Sequence, residues 1–320
     1  MQTFMMGVKK SVRKYAGQLG ILVLLLLVLS LTSSTFRSFT NIINVTRQVS
    51  INMIVACGMT MVLIIGGIDL TVGSTMALSG MLSGWLTING CPFLVSLLVG
   101  LVSGVMIGMI NGAVLAKTTL PPFIVTYSTS SIIRGLVYVI FGSATIRLID
   151  EDYLNFGGGS IGFLPLPVIY MIAIIVISIL LVNYSKMGRH MYAIGGNMKA
   201  AFFSGINTSK VIFLTYTLSG FFAALAGMVL TSRNSSLQPA VGNGAEMDAI
   251  AAVVLGGTSM AGGRGSIGGT VLGAFIIGLI SNGLNMLAID SFYQLVVKGI
   301  IILIAVYADY LKNKKMSSAK

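Results

Sequence analysis

Residues 49–88 read VSINMIVACGMTMVLIIGGIDLTVGSTMALSGMLSGWLTI, and Asp69 is the only charged residue among them. The apolar runs on either side of Asp69, Val49–Ile65 and Leu70–Ile88, both reach the roughly 17–25 residues that a helix needs to cross the hydrocarbon core of a bilayer. The pattern therefore predicts two membrane-spanning helices, joined by the glycine-rich segment Gly66–Ser74.

The composition of the whole chain extends this pattern. Of its 320 residues, 55% are hydrophobic and only 9% are charged, and the mean hydropathy is +0.95. A soluble domain usually carries about 25% charged residues, so we expect an all-α, polytopic helical membrane protein. We expect one transmembrane domain over residues 1–320, with short basic tails at about 1–17 and 311–320. The net charge of +12 does not predict nucleic-acid binding, which needs a basic face on a folded soluble domain.

Eight further apolar runs bring the expected number of transmembrane segments to about ten, some of them short or broken. The run at 247–255 is too short to cross alone, so it is either a tilted span extended into Gly256 and Gly257 or a re-entrant half-helix. No small-x-small cleavage site follows the first run, which we interpret as a retained span. The eight runs are Leu19–Phe36, Phe93–Ala116, Leu120–Phe141, Leu164–Val182, Val211–Leu230, Met247–Leu255, Ile267–Leu287 and Phe292–Tyr310.

The positions of Lys and Arg predict the orientation. With ten spans and a cytoplasmic N-terminus, fourteen of the 20 basic residues lie inside and four outside, as the positive-inside rule requires. The C-terminus is then cytoplasmic as well. Arg134 and Lys298 fall near the ends of spans, where we expect them to snorkel to the interface; a polar contact inside the bundle is the alternative.

Asp69 lies in the first of three segments that could carry function. A lone carboxylate among apolar residues is costly in lipid and usually faces a cavity or a partner, and transporters build sites from broken helices. Asp69, Thr71 and Ser74 are therefore candidate pathway or gating residues. The alternative is a tight cytoplasmic turn in which Asp69 caps the next helix.

The second segment, residues 252–266, reads AVVLGGTSMAGGRGS. It is rich in glycine but is not a phosphate-binding loop, which needs G-x-x-x-x-G-K-[ST], and the chain contains no Gly-Lys dipeptide. We therefore expect a loop between two membrane segments, and no ATP hydrolysis by this chain. Two cysteines and one histidine predict neither a disulfide framework nor a metal site.

The third segment, Gly195–Asn207, reads GGNMKAAFFSGIN. Asn197 is a favourable N-cap, and Gly205 stands where a short helix would end. The result is a compact amphipathic helix on the cytoplasmic side, which could dock into a groove of a soluble partner or lie against lipid headgroups. In the ninth span, Asn282 and Asn285 could hydrogen-bond between helices or line a polar path.

Together, these segments resemble the ribose-type sugar permeases of bacterial ATP-binding cassette (ABC) importers. The resemblance runs in matching order from about Phe39 to Asp309. It departs at Met198-Lys199, where relatives often carry an acidic and a small residue, and at Phe202-Phe203, which replace more polar residues. The matching stretches are Gly66–Ser74 (GGIDLTVGS), Gly195–Asn207, Glu246–Gly263 (EMDAIAAVVLGGTSMAGG) and Asn282-Gly283-Leu284-Asn285.

The resemblance implies a multi-pass permease subunit of the bacterial cytoplasmic (inner) membrane that works by alternating access. It implies four partners: a cytoplasmic ABC ATPase, an external sugar-binding protein, a second permease copy or close paralogue, and membrane lipid. ATP and Mg²⁺ would belong to the ATPase, with no cofactor and no metal bound by this chain. Ribose is the default sugar, although related monosaccharides use similar permeases. The resemblance implies an ATPase-coupling segment at Gly195, Gly196, Asn197, Ala200, Ala201, Ser204, Gly205, Ile206 and Asn207.

Two other functional classes are alternatives to an ABC importer permease. An ion-coupled secondary transporter of a small polar solute would use Asp69 as its proton or sodium site and would need no ATPase. An intramembrane enzyme has little chemistry available, because the spans contain no paired carboxylates and no Ser–Lys arrangement.

Overall fold

The structure, a computed structural model, describes residues 15–317, except for the side chains at positions 291, 308 and 312–317. Residues 1–14 and 318–320 of the expected basic tails lie outside the described residues. All ten apolar runs are helical over most of their length. The helices are α1 (Ala16–Thr32), α2 (Phe39–Ile64), α3 (Val72–Ile88), α4 (Phe93–Lys117), α5 (Pro122–Phe141), α6 (Glu151–Gly158), α7 (Leu166–Ile179), α8 (Lys186–Gly196), α9 (Met198–Phe203), α10 (Thr208–Arg233), α11 (Ala245–Leu255), α12 (Ile267–Met286) and α13 (Ser291–Ser317).

Seven helices of the described part of the chain are long and apolar enough to cross a membrane. They are α2, α4, α5, α7 with the π-helical turn Leu180–Tyr184, α10, α12 and α13. This confirms a polytopic helical membrane protein. Helices α1 and α3 have 17 residues each and α11 has 11. The number of complete spans and the side of each terminus stay predictions.

Contacts between helix ends define two ends of the bundle. At one end, the Tyr15 hydroxyl lies 3.0 Å from the Ser266 hydroxyl, and the Gly263 N–H donates to the Ile64 carbonyl at 2.9 Å. The start of α1, the end of α2 and the start of α12 therefore lie together, at the end that the charge pattern predicts to be cytoplasmic. At the other end, strand β1 (Ile146–Arg147) pairs antiparallel with β4 (Ser236–Leu237).

The segment between α5 and α7, residues 142–165, has structure of its own at this second end. Asp150 caps α6 by accepting a hydrogen bond from the Tyr153 N–H at 2.8 Å. Strands β2 (Ser160–Ile161) and β3 (Leu164–Pro165) then form a short antiparallel pair. The α6 helix packs on α10, where the Ser232 hydroxyl accepts from the Gly157 N–H at 2.6 Å.

The core is built on α2 and α10, which are buried along most of their length. Helix α4 packs tightly against α10 because it presents glycine at every fourth position, a spacing that lets membrane helices approach closely. A methyl group at Gly112, for example, would lie 2.8 Å from the Phe213 carbonyl oxygen. The four stacked glycines are Gly100, Gly104, Gly108 and Gly112, all of them buried.

Two membrane segments are broken rather than continuous. The first break is the linker at residues 65–71, between α2 and α3. The second precedes α11: Leu237 packs against Gly84 near the end of α3, whereas Gly242 packs against Gly73 near its start. Those two glycines are eleven residues, or about 16 Å, apart along α3, and consecutive turns at residues 238–244 connect the two contacts before α11 begins. We call residues 238–244 the turn segment.

Helix α11 is thus a half-helix within a broken crossing, and its 11 residues extend only about 16 Å. The chain approaches α11 from the end that carries β4 and leaves it at the opposite end, where Ser266 meets Tyr15, so the re-entrant alternative is wrong. The other alternative is right that the run continues across the bundle, but the helix does not extend into Gly256 and Gly257. Gly256 is the C-cap, and Gly257 turns the chain with φ +88°.

Candidate functional site

Asp69 lies in the linker at residues 65–71, fully buried at 1% exposure. One carboxylate oxygen accepts from the Thr71 N–H at 3.0 Å and from the Thr71 hydroxyl at 2.5 Å. The other accepts from the Ser219 hydroxyl at 2.7 Å. Ser219 is the twelfth of 26 residues in α10, about 17 Å from the start of that helix. Asp69 therefore lies beside the middle of α10, with which it shares this hydrogen bond.

The expectation that Asp69 caps α3 in a cytoplasmic turn is wrong. Helix α3 begins at Val72, and its cap residue is Thr71. Asp69 instead closes a turn by accepting from the backbone two residues on, a local bond typical of Asp. The Ser74 hydroxyl, in the first turn of α3, donates to the Thr71 carbonyl at 2.9 Å. The three candidate pathway residues are thus brought together, but they face protein on all sides.

Other polar side chains that sequence reasoning missed hold the linker in place. The hydroxyls of Tyr216 and Thr126 donate to the Ile68 carbonyl at 3.2 and 3.3 Å. The Asn111 amide donates to the Thr71 hydroxyl at 3.1 Å. Asn111 is a single polar residue in an apolar run, and that isolation is the signal that could have found it, whereas Thr126 and Tyr216 lie among other hydroxyl side chains. A cavity of about 300 Å³ beside Gly66, Gly67 and Tyr216 adjoins the linker, with Met198 of α9 in its lining.

Three segments meet at the predicted cytoplasmic end through backbone contacts between glycines. A methyl group at Gly195 would collide with the Ile64 carbonyl oxygen and the Gly263 nitrogen, whereas one at Gly196 would meet nothing within 4 Å. A methyl group at Gly262 would lie 3.0 Å from the backbone of Gly66. We call this the glycine junction, made by Gly66, Gly195, Gly196, Gly262 and Gly263.

A tyrosine reinforces the glycine junction from α8. The Tyr192 hydroxyl donates to the Gly265 carbonyl at 3.0 Å. Burial raises the pKa of the Tyr192 phenol, and the nearby Tyr15 raises it further. The phenol therefore stays protonated at neutral pH and keeps its hydrogen to donate.

The expected short helix exists directly after the glycine junction. Asn197 caps α9 by accepting from the Ala200 N–H at 3.0 Å, and Gly205 follows its end with φ +80°. Both predictions are confirmed. Gly195 and Gly196, however, form the last turn of α8, so the segment is not a single helix. Asn207 belongs to the next element, since it caps α10 by accepting from the Lys210 N–H at 2.9 Å.

The α9 helix is amphipathic and projects from the bundle. Ala201 is buried at 4% exposure, and Ile206 packs against the core. Phe202 and Phe203 are 63% and 85% exposed, with ring centroids 5.8 Å apart. Ala200 and Ser204 lie on the exposed surface as well. This end of the bundle therefore presents a small apolar surface with no neighbour among the described residues.

The structure does not bring Asn282 and Asn285 to the linker. Asn282 exchanges side-chain hydrogen bonds with Asn41 at 3.0 and 3.3 Å, near the start of α2 and far from its junction with the linker. Asn285 is exposed and accepts from the Gln294 amide at 2.8 Å. Both asparagines thus make the hydrogen bonds between neighbouring helices that were one of their two expected uses.

The expectation that Arg134 and Lys298 snorkel to the interface is wrong. The Arg134 guanidinium donates to the carbonyls of Pro239 and Val241 at 2.7 and 2.9 Å. The Lys298 ammonium pairs with the Asp248 carboxylate at 2.8 Å. Arg134 thus holds the turn segment, and Lys298 holds α11, to a neighbouring helix, so partners within the bundle outweigh the interface.

Comparison with known proteins supports the class that the segments indicate. Residues 41–306 match the family model described as the permease component of branched-chain amino acid transport systems. The ribose import permease of Bacillus subtilis is 46% identical over 275 residues, 85% of each chain. That of Haemophilus influenzae is 41% identical over 87% of this chain and 88% of its own length. The D-allose transport permease of Escherichia coli is 40% identical over 86% of this chain and 84% of its own length.

No solved structure matches the chain. The match to the family model covers most of the chain and includes the linker, the glycine junction, α9, the turn segment and α11. The relatives are named as import or transport permeases, and seven helices can cross a membrane. The protein is therefore a multi-pass protein of the bacterial cytoplasmic membrane, and the chain belongs to the permease family of ABC importers, among its ribose-type sugar permeases.

Proposed function

We propose that this chain is the membrane subunit of an ABC importer that carries ribose, or a related monosaccharide, into the cell. The ribose permeases that it resembles are 40–46% identical to it, and the allose permease is 40% identical. Identity of this extent over most of both chains supports the same transport role. These relatives are named for two different sugars, so the proposal includes related monosaccharides as well as ribose.

The observation that carries the proposal is the exposed apolar surface of α9. Two adjacent phenylalanines project into solvent at the end of the bundle where the basic residues predict the cytoplasm. Exposed aromatic side chains of this kind are typical of protein interfaces. A cytoplasmic ATPase that receives α9 in a groove would bury both rings.

In this proposal, the ATPase supplies ATP hydrolysis and its Mg²⁺, and the permease binds no cofactor and catalyses no reaction. An external binding protein would deliver the sugar to the end that carries β1, β4 and α6. A second copy or close paralogue would complete the path. Closure of the ATPase would favour one orientation of the permease, because only different contacts in the two states can give the coupling its free energy.

The glycine junction offers a direct connection from α9 to the membrane. Movement of α9 displaces Gly195 and Gly196, which touch the end of α2 at Ile64 and the loop after α11 at Gly263, and Gly262 of that loop touches the linker at Gly66. In this mechanism Asp69, Thr71 and Ser74 hold the far end of the linker rather than bind an ion. Asn282 and Asn285 hold α12 to its neighbours.

The test is co-purification of the ATPase from membranes and ATP-dependent uptake of labelled D-ribose by the reconstituted complex. We expect Phe203→Asp to lose the ATPase and the uptake. Phe163→Asp is the matched control for retention of the ATPase, since Phe163 is 80% exposed but lies at the opposite end of the bundle. Uptake driven by an ion gradient without any ATPase would refute the proposal and favour a secondary transporter.

A further inference from the structure

Helix α5 carries a row of polar side chains along a face that the described residues leave uncovered. Tyr127, Ser131, Arg134 and Tyr138 are spaced at i, i+4, i+7 and i+11, which places them along one side of the helix. Tyr127 is 58% exposed and Tyr138 39% exposed, and Ser131 is exposed as well. We call these four residues the α5 stripe.

The α5 stripe differs from the neighbouring surface of the same helix. Ile132, Leu136 and Val139 are 62%, 44% and 81% exposed and are purely apolar, as a lipid-facing surface should be. The hydroxyls of Tyr127 and Tyr138 make no hydrogen bond to the described part of the chain. Polar residues within membrane segments usually face a water-filled cavity or protein rather than lipid.

The turn segment, together with the start of α11, forms a second polar wall beside the α5 stripe. Arg134 joins the two, because its guanidinium donates to two carbonyls of that segment. Further along the chain, Asn243 is exposed and Glu246 is partly exposed. Arg134 and the Glu246 carboxylate are near enough to attract each other, although they form no ion pair within 4.0 Å.

We propose that this surface lines the path of the sugar, with Tyr127, Ser131 and Tyr138 on one wall and Asn243 and Glu246 on the other. A monosaccharide has apolar C–H faces that pack on tyrosine rings and hydroxyls that exchange hydrogen bonds with hydroxyl, amide and carboxylate groups. The surface is open rather than enclosed, so a second copy would complete the channel. The inference rests on the proposed function and assigns it the residues that contact the sugar.

Single cysteines test the inference at matched depth in the membrane. The pairs Ser131→Cys with Ile132→Cys, and Tyr138→Cys with Val139→Cys, compare the α5 stripe with the lipid-facing surface one residue away. The natural Cys57 is buried and Cys91 is partly exposed, so Cys91→Ser supplies the background. The complete transporter in membrane vesicles is treated with a charged, membrane-impermeant methanethiosulfonate.

We expect the stripe cysteines to react about tenfold faster than their neighbours, because a charged reagent is excluded from hydrocarbon. A bulky reagent at position 131 should also block D-ribose uptake, whereas at position 132 it should not. Equal rates within both pairs would overturn the inference. Slow modification combined with disulfide-linked dimers at position 131 would also overturn it, by showing a dry interface between two copies.

The parent with Cys91→Ser separates failure of the inference from failure of the proposed function. If this parent shows ATP-dependent D-ribose uptake and the paired rates are equal, only the path is misassigned. If the parent and the unmodified protein show no ATP-dependent uptake of D-ribose or a related monosaccharide, the proposed function itself fails.

Discussion

Replacing Gly195 by alanine tests whether the glycine junction transmits movement. The added methyl group would collide with the Ile64 carbonyl oxygen and the Gly263 nitrogen. The methyl group would lie 1.8 Å from that oxygen. Ordinary contact therefore requires the segments to separate by about 1.6 Å, and overpacking of this kind costs about 1–3 kcal/mol. The N–H bond from Gly263 to Ile64, now 2.9 Å long, would be strained as well.

The effect on transport depends on which orientation of the permease the added methyl group destabilises. If the glycine junction opens in the other orientation, the substitution penalises only the closed arrangement seen here. A penalty of about 1–3 kcal/mol then shifts the equilibrium between orientations about 5–150-fold. We therefore expect slower D-ribose uptake, with ATP hydrolysis that no longer responds to the binding protein, while the amount of complex in the membrane is unchanged.

The neighbouring glycine is the matched control. A methyl group at Gly196 would meet nothing within 4 Å, so Gly196→Ala should leave uptake near the level of the unmodified protein. Thermal unfolding in detergent adds a second measurement, because a junction that stays closed in both orientations would show a lower midpoint instead of altered coupling. If Gly195→Ala and Gly196→Ala have the same uptake, ATPase response and midpoint, the tight packing has no functional consequence and the reasoning is refuted.

Three further substitutions test other parts of the argument. Asp69→Asn should retain most ATP-driven uptake, because an amide can still pair with Ser219, whereas Asp69→Ala leaves buried donors unpaired at about 1–3 kcal/mol each and should lower the unfolding midpoint; loss of uptake in the Asn variant with normal stability would point to an ion site. Gly205→Trp, at φ +80°, should abolish uptake while membrane insertion survives, and Gly205→Asn should retain it, because Asn tolerates the left-handed region; normal uptake by the Trp variant would contradict the coupling role of α9. Lys298→Met should cost about 1–3 kcal/mol by leaving Asp248 unpaired, and adding Asp248→Asn should restore stability; equal unfolding midpoints for the single and double variants would exclude a stabilising pair.

The apolar runs predict the helices well because a span must be long, apolar and internally hydrogen-bonded, and all three demands act on local sequence. Depth is harder to predict. The segment Gly66–Ser74 has the composition of a surface turn, yet Asp69 is buried beside the middle of α10, where it accepts a hydrogen bond from Ser219. Its partner Ser219 is 150 residues away, and no local pattern connects the two.

The same limit explains Arg134 and Lys298. A basic residue near the end of a span can reach the membrane interface or pair with a group inside the bundle. The sequence shows how far the residue is from the interface, but not which groups inside the bundle are near it. The carbonyls that receive Arg134 come from the consecutive turns at residues 238–244. These turns and the preceding Leu237 pack on α3 at Gly73 and Gly84, which leave room for them.

The two broken segments give a physical reason why a short helix could move a membrane path. The linker joins the glycine junction to Asp69 at mid-depth, and α11 joins the same junction to the turn segment. Their far ends meet where Gly242 packs on Gly73, next to the carbonyls that Arg134 holds. A continuous helix would have to tilt as a whole to move that point, whereas each of these segments can pivot at its break. The cavity of about 300 Å³ beside Gly66 gives the linker space to do so. We therefore expect α9 and the α5 stripe to be coupled through packing alone. Cysteine reactivity at position 131 should then change with nucleotide in the unmodified junction and lose that dependence in Gly195→Ala.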